Sequence, residues 1–423
     1  MARSVLKSPA ASVQHDGVLV LELTGTPYER GQQHGTALAE QVRHLRGRLI
    51  NDIVFGKGTA MGAGFLGILY GILARMHPNI PRELREEMRG VAAGARVPYR
   101  DILLLNCFDD VLHALIQLNP VLAPLLQHRF VKPVLGLLGA VPPPAPVSPA
   151  PGLSPGFACS SFVLTGESST LGTPIHGRNL DYMVHDDFID PEGIVPRELR
   201  ANVVVFVVRP SQGRAFASIA WPGFVGLVTA LNADGLSLAC LTSTVPRETA
   251  NGTPLLMLYR LAAQYAGSLD EAEWLLRGTR RTIGNNLTAA SAVANEGRLF
   301  EFTMERLRVT PEVDGLVIAT NHFQHPAMSE LQGGWVVPSS AHRLARLREV
   351  FNSGRHGIEE AQAALSDRCP PAGAIEVWDC LANPGTIYSS ITDPAGLRLW
   401  VRAYDRADRD WVQLDLAERL RAA

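Results

Sequence analysis

The apolar positions of this 423-residue chain come in two textures. Before about residue 140 they recur at helical spacing or merge into long runs. After 159 they fall into short blocks divided by turn residues. Residues 17–23 (GVLVLEL) predict a buried strand, stopped at Gly25 and Pro27. Thr26-Pro27-Tyr28-Glu29 then has the signature of a helix start, and the helix is expected to run through His34 to about Leu49. Its Gly31 and Gly35 share one face and invite close approach by another backbone. Residues 81–94 read as an amphipathic helix, and a further helix starts at 97–102 and runs into Asn106, Cys107, Asp109 and Asp110. The runs 61–76 and 111–140 are strongly apolar but broken by glycine, proline or charge, and the first is shorter than the ~20 residues of a membrane span. They read as helices buried in the protein or packed on a sheet; the functional alternative is a lipophilic surface that meets membranes or acyl chains.

The textures meet at residues 141–156 (VPPPAPVSPAPGLSPG), whose prolines rule out a helix or a central strand and mark an exposed linker. Hairpins are expected over 201–209 with 214–220, and over 224–231 with 236–242, the second turning at Asp234-Gly235. Two helices follow, near 254–266 and 269–277, then strands at 287–294, 298–303 and 316–320. A basic helix is expected at 339–352, another near 357–365, and strands near 375–380, 386–391 and 397–404. Antiparallel strands with helices inserted in blocks predict an α+β fold, two sheets with helices outside.

A formal net charge of −2 leaves no electrostatic case for nucleic acid. The five cysteines form neither a CxxC pair nor a metal-ligand spacing, so no metal and no disulfide scaffold is expected. The first 17 residues hold too short an apolar run for a signal peptide, and a reduced, cytoplasmic protein is expected.

Chemistry concentrates in residues 157–182, FACSSFVLTGESSTLGTPIHGRNLDY. A hairpin here returns Arg178 and Asp181 to the side of Cys159, where a cation favours thiolate. Gly177 is expected to leave room for backbone near that site. Cys107, Cys240, Cys369 and Cys380 sit in apolar or helical contexts and read as inert. Asn321, after the strand 317–320, either donates to an oxyanion or caps a turn, and His322 is the natural base for a papain-like Cys/His pair.

Five stretches in order carry a resemblance: Cys159-Ser160-Ser161-Phe162, His176-Gly177-Arg178-Asn179-Leu180-Asp181-Tyr182, Leu231-Asn232-Ala233-Asp234-Gly235-Leu236, Ala319-Thr320-Asn321-His322-Phe323 and Ser339-Ser340-Ala341-His342-Arg343. With the early Gly25-Thr26-Pro27-Tyr28-Glu29-Arg30-Gly31, they resemble the self-processing cysteine N-terminal-nucleophile hydrolases. The match is nearest to the acyl-CoA:6-aminopenicillanic acid acyltransferase family; bile salt hydrolases, penicillin V acylases and acid ceramidase are wider relatives. The resemblance implies a four-layer αββα sandwich and no cofactor. It implies cleavage between Ala158 and Cys159, leaving a helical pro-chain 1–158 packed as a cover on a catalytic chain 159–423. The freed amine of Cys159, with a reference pKa of about 8, becomes the base for its own thiol. Asp181 holds that amine, Arg178 stabilises thiolate, Arg343 supports the nucleophile, and Asn321 and the backbone N–H of Thr242 donate to the oxyanion. His322 becomes structural or, with Tyr182 and Phe323, a pocket wall. The substrate implied is a small N-acyl amide or acyl thioester, and the 111–140 region reads as an insertion near the pocket mouth. Rival readings are a lipid amide or oxyester hydrolase of ceramidase or phospholipase type, a Cys159/His322 protease, and a non-catalytic lipid-binding scaffold.

Overall fold

The computed structural model describes residues 11–52, 59–115, 117, 157–182, 193–333, 336, 338–369, 377–405 and 410–422. The linker 141–156 and most of the apolar region 111–140 lie outside them. Two sheets are stacked face to face. The larger has nine strands in the order β1 (Ala11–His15), β2 (Val18–Gly25), β5 (Val204–Pro210), β6 (Phe216–Ala220), β7 (Thr229–Asn232), β8 (Leu236–Thr242), β9 (Asn285–Ser291), β10 (Glu296–Phe302) and β11 (Leu307–Pro311). The smaller has six, β12 (Leu316–Ala319), β3 (Phe157–Leu164), β4 (Ile175–Tyr182), β13 (Thr386–Asp393), β14 (Arg398–Ala403) and β15 (Val412–Asp415). All neighbours pair antiparallel except β2 and β5.

Helices complete four layers. Among those before Cys159 are α1 (Pro27–Ala37), α2 (Ala39–Arg46), α3 (Thr59–Met76), α4 (Arg82–Ala95) and α5 (Tyr99–Asn106), and α6 (Ile194–Ala201) precedes β5. The helices α7 (Leu255–Tyr265) and α8 (Leu269–Gly278) pack on the larger sheet, while α9 (Pro326–Gln332) leads into α10 (Pro338–Val350). That helix and α11 (Ile358–Leu365) cover the smaller sheet, and α12 (Ala417–Arg421) ends the chain beside β5. With a layer on each face, β8 is buried at every position and β5 at its first five, rather than at alternate ones. The fold is the expected α+β sandwich.

Several boundaries differ from the sequence expectation. The first helix starts where its capping box predicts, Thr26 with Glu29, but breaks at Leu38 and resumes as α2. The strand expected over 224–231 is only β7, because the side chain of Asn106 holds the preceding loop. Its Oδ1 accepts from the N–H of Val225 (2.6 Å) and Gly226 (3.0 Å), and its Nδ2 donates to Gly223 O (2.8 Å). Of the strand expected at 375–380, the first two positions lie outside the described residues and Val377–Asp379 is a short 3₁₀ turn.

The residues before Cys159 are more than a helical cover, since they also supply β1 and β2. Their helices form the close pair expected from Gly31 and Gly35. A Cβ on Gly31 would lie 1.9 Å from the carbonyl oxygen of Glu87, and α4 answers with Gly90, where a Cβ would lie 2.2 Å from Tyr28 O. Glu87, buried at this crossing, accepts from Arg30 of α1 (2.5 Å) and from Arg260 of α7 (3.1 Å), tying both sides of Cys159 together.

Candidate active site

Cys159 is the third residue of β3, so the Ala158–Cys159 bond lies within a paired strand, Ala158 opposite Asp181 and Cys159 opposite Leu180. Register decides what the thiol sees. Cys159, Ser161 and Val163 share a face with their partners Leu180, Arg178 and His176, and that face looks onto the larger sheet. Arg178 and Asp181 are both buried. The room at Gly177 goes to a side chain instead of backbone: a Cβ there would meet the Phe162 ring at 2.2 Å.

Arg178 places Nη2 2.8 Å from the Cys159 Sγ. Its Nη1 donates to Val228 O (3.1 Å) and Thr229 Oγ1 (2.9 Å), and the Tyr388 ring lies 5.7 Å from its Cζ. Burial nevertheless outweighs the cation and pushes the thiol up to about 11. The sulfur of the continuous chain is thus a thiol held for activation, whereas the guanidinium alone had suggested thiolate.

The backbone of Cys159 is gripped from the helical side. Its N–H donates to Asn321 Oδ1 (2.5 Å), and its carbonyl accepts from Arg343 Nη1. Arg343, fully buried on α10, also donates to Ser160 Oγ (3.0 Å) and to Asn321 Oδ1 (3.0 Å). Asn321 donates through Nδ2 to Thr242 O (2.8 Å), while its own N–H goes to Ser340 Oγ (2.8 Å). Asp181 accepts from Asn383 Nδ2 (2.7 Å) on Oδ2, and among the described residues its buried Oδ1 has no hydrogen-bond partner. Burial raises this carboxyl to about 6, against the lowering pull of Arg343 and of the neighbouring Thr386 and Asn383 side chains.

Hydrogen bonds link Cys159, Arg178, Asn321, Arg343 and the end of the Thr242 strand into one cluster, and Asp181 lies beside it, opposite Ala158 and within electrostatic reach of Arg343 and Arg178. His322 does not join it through its ring: Nδ1 engages Ser340 Oγ (2.7 Å) and Thr320 Oγ1 (3.2 Å). Burial, then Arg343 and Arg348, lower it to about 4, so it is neutral. His176 is also held neutral by burial, lowered to about 3, among Ser161, Ser237 and Thr288. Phe323 packs with Val245 and Met328, and the Tyr182 ring stands 6.5 Å from Phe108. Among the described residues no group of three or more His, Cys, Asp or Glu is placed to hold a metal ion, and no helix is long and apolar enough to cross a membrane. Sequence reasoning missed Thr229, Asn383 and, as a contact of Asn321, Ser340. The only local signal was the turn-forming Asn383-Pro384-Gly385.

The family model of acyl-coenzyme A:6-aminopenicillanic acid acyl-transferase matches residues 196–408, a stretch that holds Thr242, Asn321 and Arg343 and begins after Cys159. An uncharacterized protein of Archaeoglobus fulgidus is 24% identical over 343 residues, 74% of this chain and 51% of that one. Protein dcd1A of Dictyostelium discoideum is 23% identical over 314 residues, 69% of this chain and 59% of its own. The chain thus spans between half and three-fifths of the length of these relatives. Among solved structures, an N-acylethanolamine-hydrolyzing acid amidase ortholog of Caenorhabditis elegans is 17% identical, with a TM-score of 0.39 over 56% of this chain and 93% of that one. Penicillin V acylase of Agrobacterium tumefaciens is 14% identical, with a TM-score of 0.38 over 62% and 93%.

Proposed function

The chain belongs to the acyl-coenzyme A:6-aminopenicillanic acid acyl-transferase family, and from that premise we propose that it is a self-processing hydrolase or acyltransferase acting on N-acyl amides through a Cys159 thioester. The observation that carries the reading is the grip on the nucleophile's own backbone nitrogen, which donates to Asn321 while a carboxylate oxygen of Asp181 stands buried and unpartnered. A Cys/His protease would put an imidazole on the sulfur; here Arg178 occupies that place.

In the maturation step Sγ attacks the Ala158 carbonyl carbon. The C–S bond forms, the C–N bond breaks, and the thiol proton passes to the departing nitrogen of Cys159. Water then hydrolyses the ester, leaving chains 1–158 and 159–423. The new amine keeps Asn321 as an acceptor and gains Asp181 as counter-ion. With a reference pKa of about 8 it is available in part as the free base near neutral pH, and it takes the thiol proton in concert with attack of the sulfur on the substrate carbonyl, so that no free thiolate has to form first. The amide carbonyl of the substrate receives the sulfur, with the oxyanion facing an N–H of Asn321 and the backbone N–H of Thr242. The leaving amine takes the proton, and water or an acceptor amine releases the acyl group. The apolar residues next to the site favour a lipophilic acyl group.

The test is a trapping experiment. Purified protein mixed with a medium-chain acyl p-nitroanilide is quenched in acid and weighed. One acyl mass added on Cys159, labile to hydroxylamine, is the expected result. Nitroaniline release without such an adduct, undiminished in Cys159→Ala, contradicts the reading.

A further inference from the structure

The carboxylate of Asp181 is held from behind by a turn that the proposed chemistry does not use. Asn383, Pro384 and Gly385 lead into β13, whose first residue, Thr386, pairs with Asp181 of β4. The next pair is Tyr388 with Leu180, so Ile387 is an extra residue, a β-bulge of the kind that re-aims side chains at the end of a strand. The turn decides which way the buried Asn383 amide points. Its Oδ1 accepts from the N–H of Gly385 (2.9 Å), so the NH2 faces Asp181, and Nδ2 donates to Asp181 Oδ2 (2.7 Å). The turn itself is anchored. The Asn383 N–H donates to Thr386 Oγ1 (3.1 Å), Gly385 O accepts from the N–H of Tyr182 (2.9 Å), and Arg200 of α6 donates to Thr386 O (3.0 Å) and to Pro384 O. Among the described residues the other carboxylate oxygen, Oδ1, has no partner.

We propose that Asn383 is a positioning residue for the reaction: it engages one oxygen of Asp181, keeps that carboxylate ionised at neutral pH, and leaves Oδ1 for the amine of Cys159. A hydrogen bond to the charged form of a buried acid favours that form. The charged and titratable groups around Asp181, among the described residues, are Arg178 on its own strand, Arg343 of α10, Arg200 of α6, Cys159 of β3 and Tyr404 after β14. The hydrogen bonds of the three arginines go to Cys159, its neighbours and backbone carbonyls. Their pull on Asp181 is therefore through space, and the bond to the carboxylate comes from Asn383, with Thr386 beside it.

The inference deepens the amide reading and rests on it for the amine that Oδ1 receives; the hold on Asp181 is tested without it. Asn383→Ser keeps an oxygen for the Gly385 N–H but is too short to reach Asp181, whereas Asn383→Leu removes both bonds. Each is placed in full-length Cys159→Ala and melted from about pH 5 to about pH 8. The folded carboxyl, raised to about 6, is protonated below that value whatever stands at 383, so the gap to the Cys159→Ala parent is flat there. Loss of the donor lifts the carboxyl by about one further unit, so the gap widens from about pH 6 to about pH 7 and then levels. A gap that is the same at every pH, as a purely structural role would give, overturns the inference. With Cys159 intact, kcat on the acyl p-nitroanilide is expected to fall about tenfold with KM unchanged, because Asn383 acts through Asp181. An unchanged kcat, or a loss confined to KM, overturns the positioning role. Should one variant not fold, the other carries both readouts. A wild-type protein that forms no thioester sinks the amide reading, while the melting gap, which needs neither cleavage nor turnover, still decides whether Asn383 holds Asp181 ionised.

Discussion

At the scale of single residues, the site works by burying charge and then rationing its partners. Arg178 spends one nitrogen on sulfur and the other on the β7 edge, so its position is set by the larger sheet although it grows from the smaller. Asn321→Ala is expected to slow turnover by about 10²–10³-fold through loss of an oxyanion donor, whereas His322→Gln should keep activity within a few-fold. Steady-state kinetics on the two variants check this, and the opposite ranking would restore the Cys/His reading. His113 gives a pH dependence with a definite sign. Its pKa is raised from 6.5 to about 9, so its contribution to stability is complete below pH 6.5 and is lost as pH climbs through about 9. Melting curves should therefore show Glu248→Gln most destabilised near about pH 6 and approaching wild type near about pH 10. A difference constant across that range would remove the ion pair from the account. Of these residues, Cys159, Arg178 and Asp181 were legible because a hairpin is a local device. Asn321 could be read locally only as an oxyanion donor or a turn cap, Arg343 was visible only through motif order, and Asn383 was invisible because it reaches Asp181 across 202 residues.

Among the elements, the α1–α4 crossing is the one whose sequence signal and structure agree most closely. Glycines four apart on one helix predicted a close backbone partner, and the partner brings glycines at the same spacing. Gly31→Ala should cost about 3 kcal/mol, since the added carbon meets backbone atoms of α4 and no side chain can yield. Denaturant unfolding measures it, and a cost under about 1 kcal/mol would mean the helices separate freely. The strands after 159 were legible by their turns, as at Asp234-Gly235, where Asn232 Oδ1 accepts from the N–H of Asp234 (3.2 Å) and Leu236 (3.0 Å). β1 was not, because an edge strand has no apolar run to betray it. Nor was the loop before β7: an apolar sequence there is held out of the sheet by Asn106, a residue more than a hundred positions earlier.

Over the whole molecule, the two sides of Cys159 form one body. Residues before it supply two strands of the larger sheet, the α1–α4 pair, and a carboxylate shared between Arg30 and Arg260. The proposed cut before Cys159 would break none of those contacts, so it would turn one backbone nitrogen into an amine without requiring the fold to change. The central claim is that this amine is made and is the base. The direct measurement is the intact mass of the purified protein beside its Cys159→Ala variant, with sequencing of any new N-terminus. The account predicts two tightly associated fragments from the wild type, the second beginning at Cys159, and one uncut chain from the variant. An uncut wild-type chain that still turns over an N-acyl amide would contradict it.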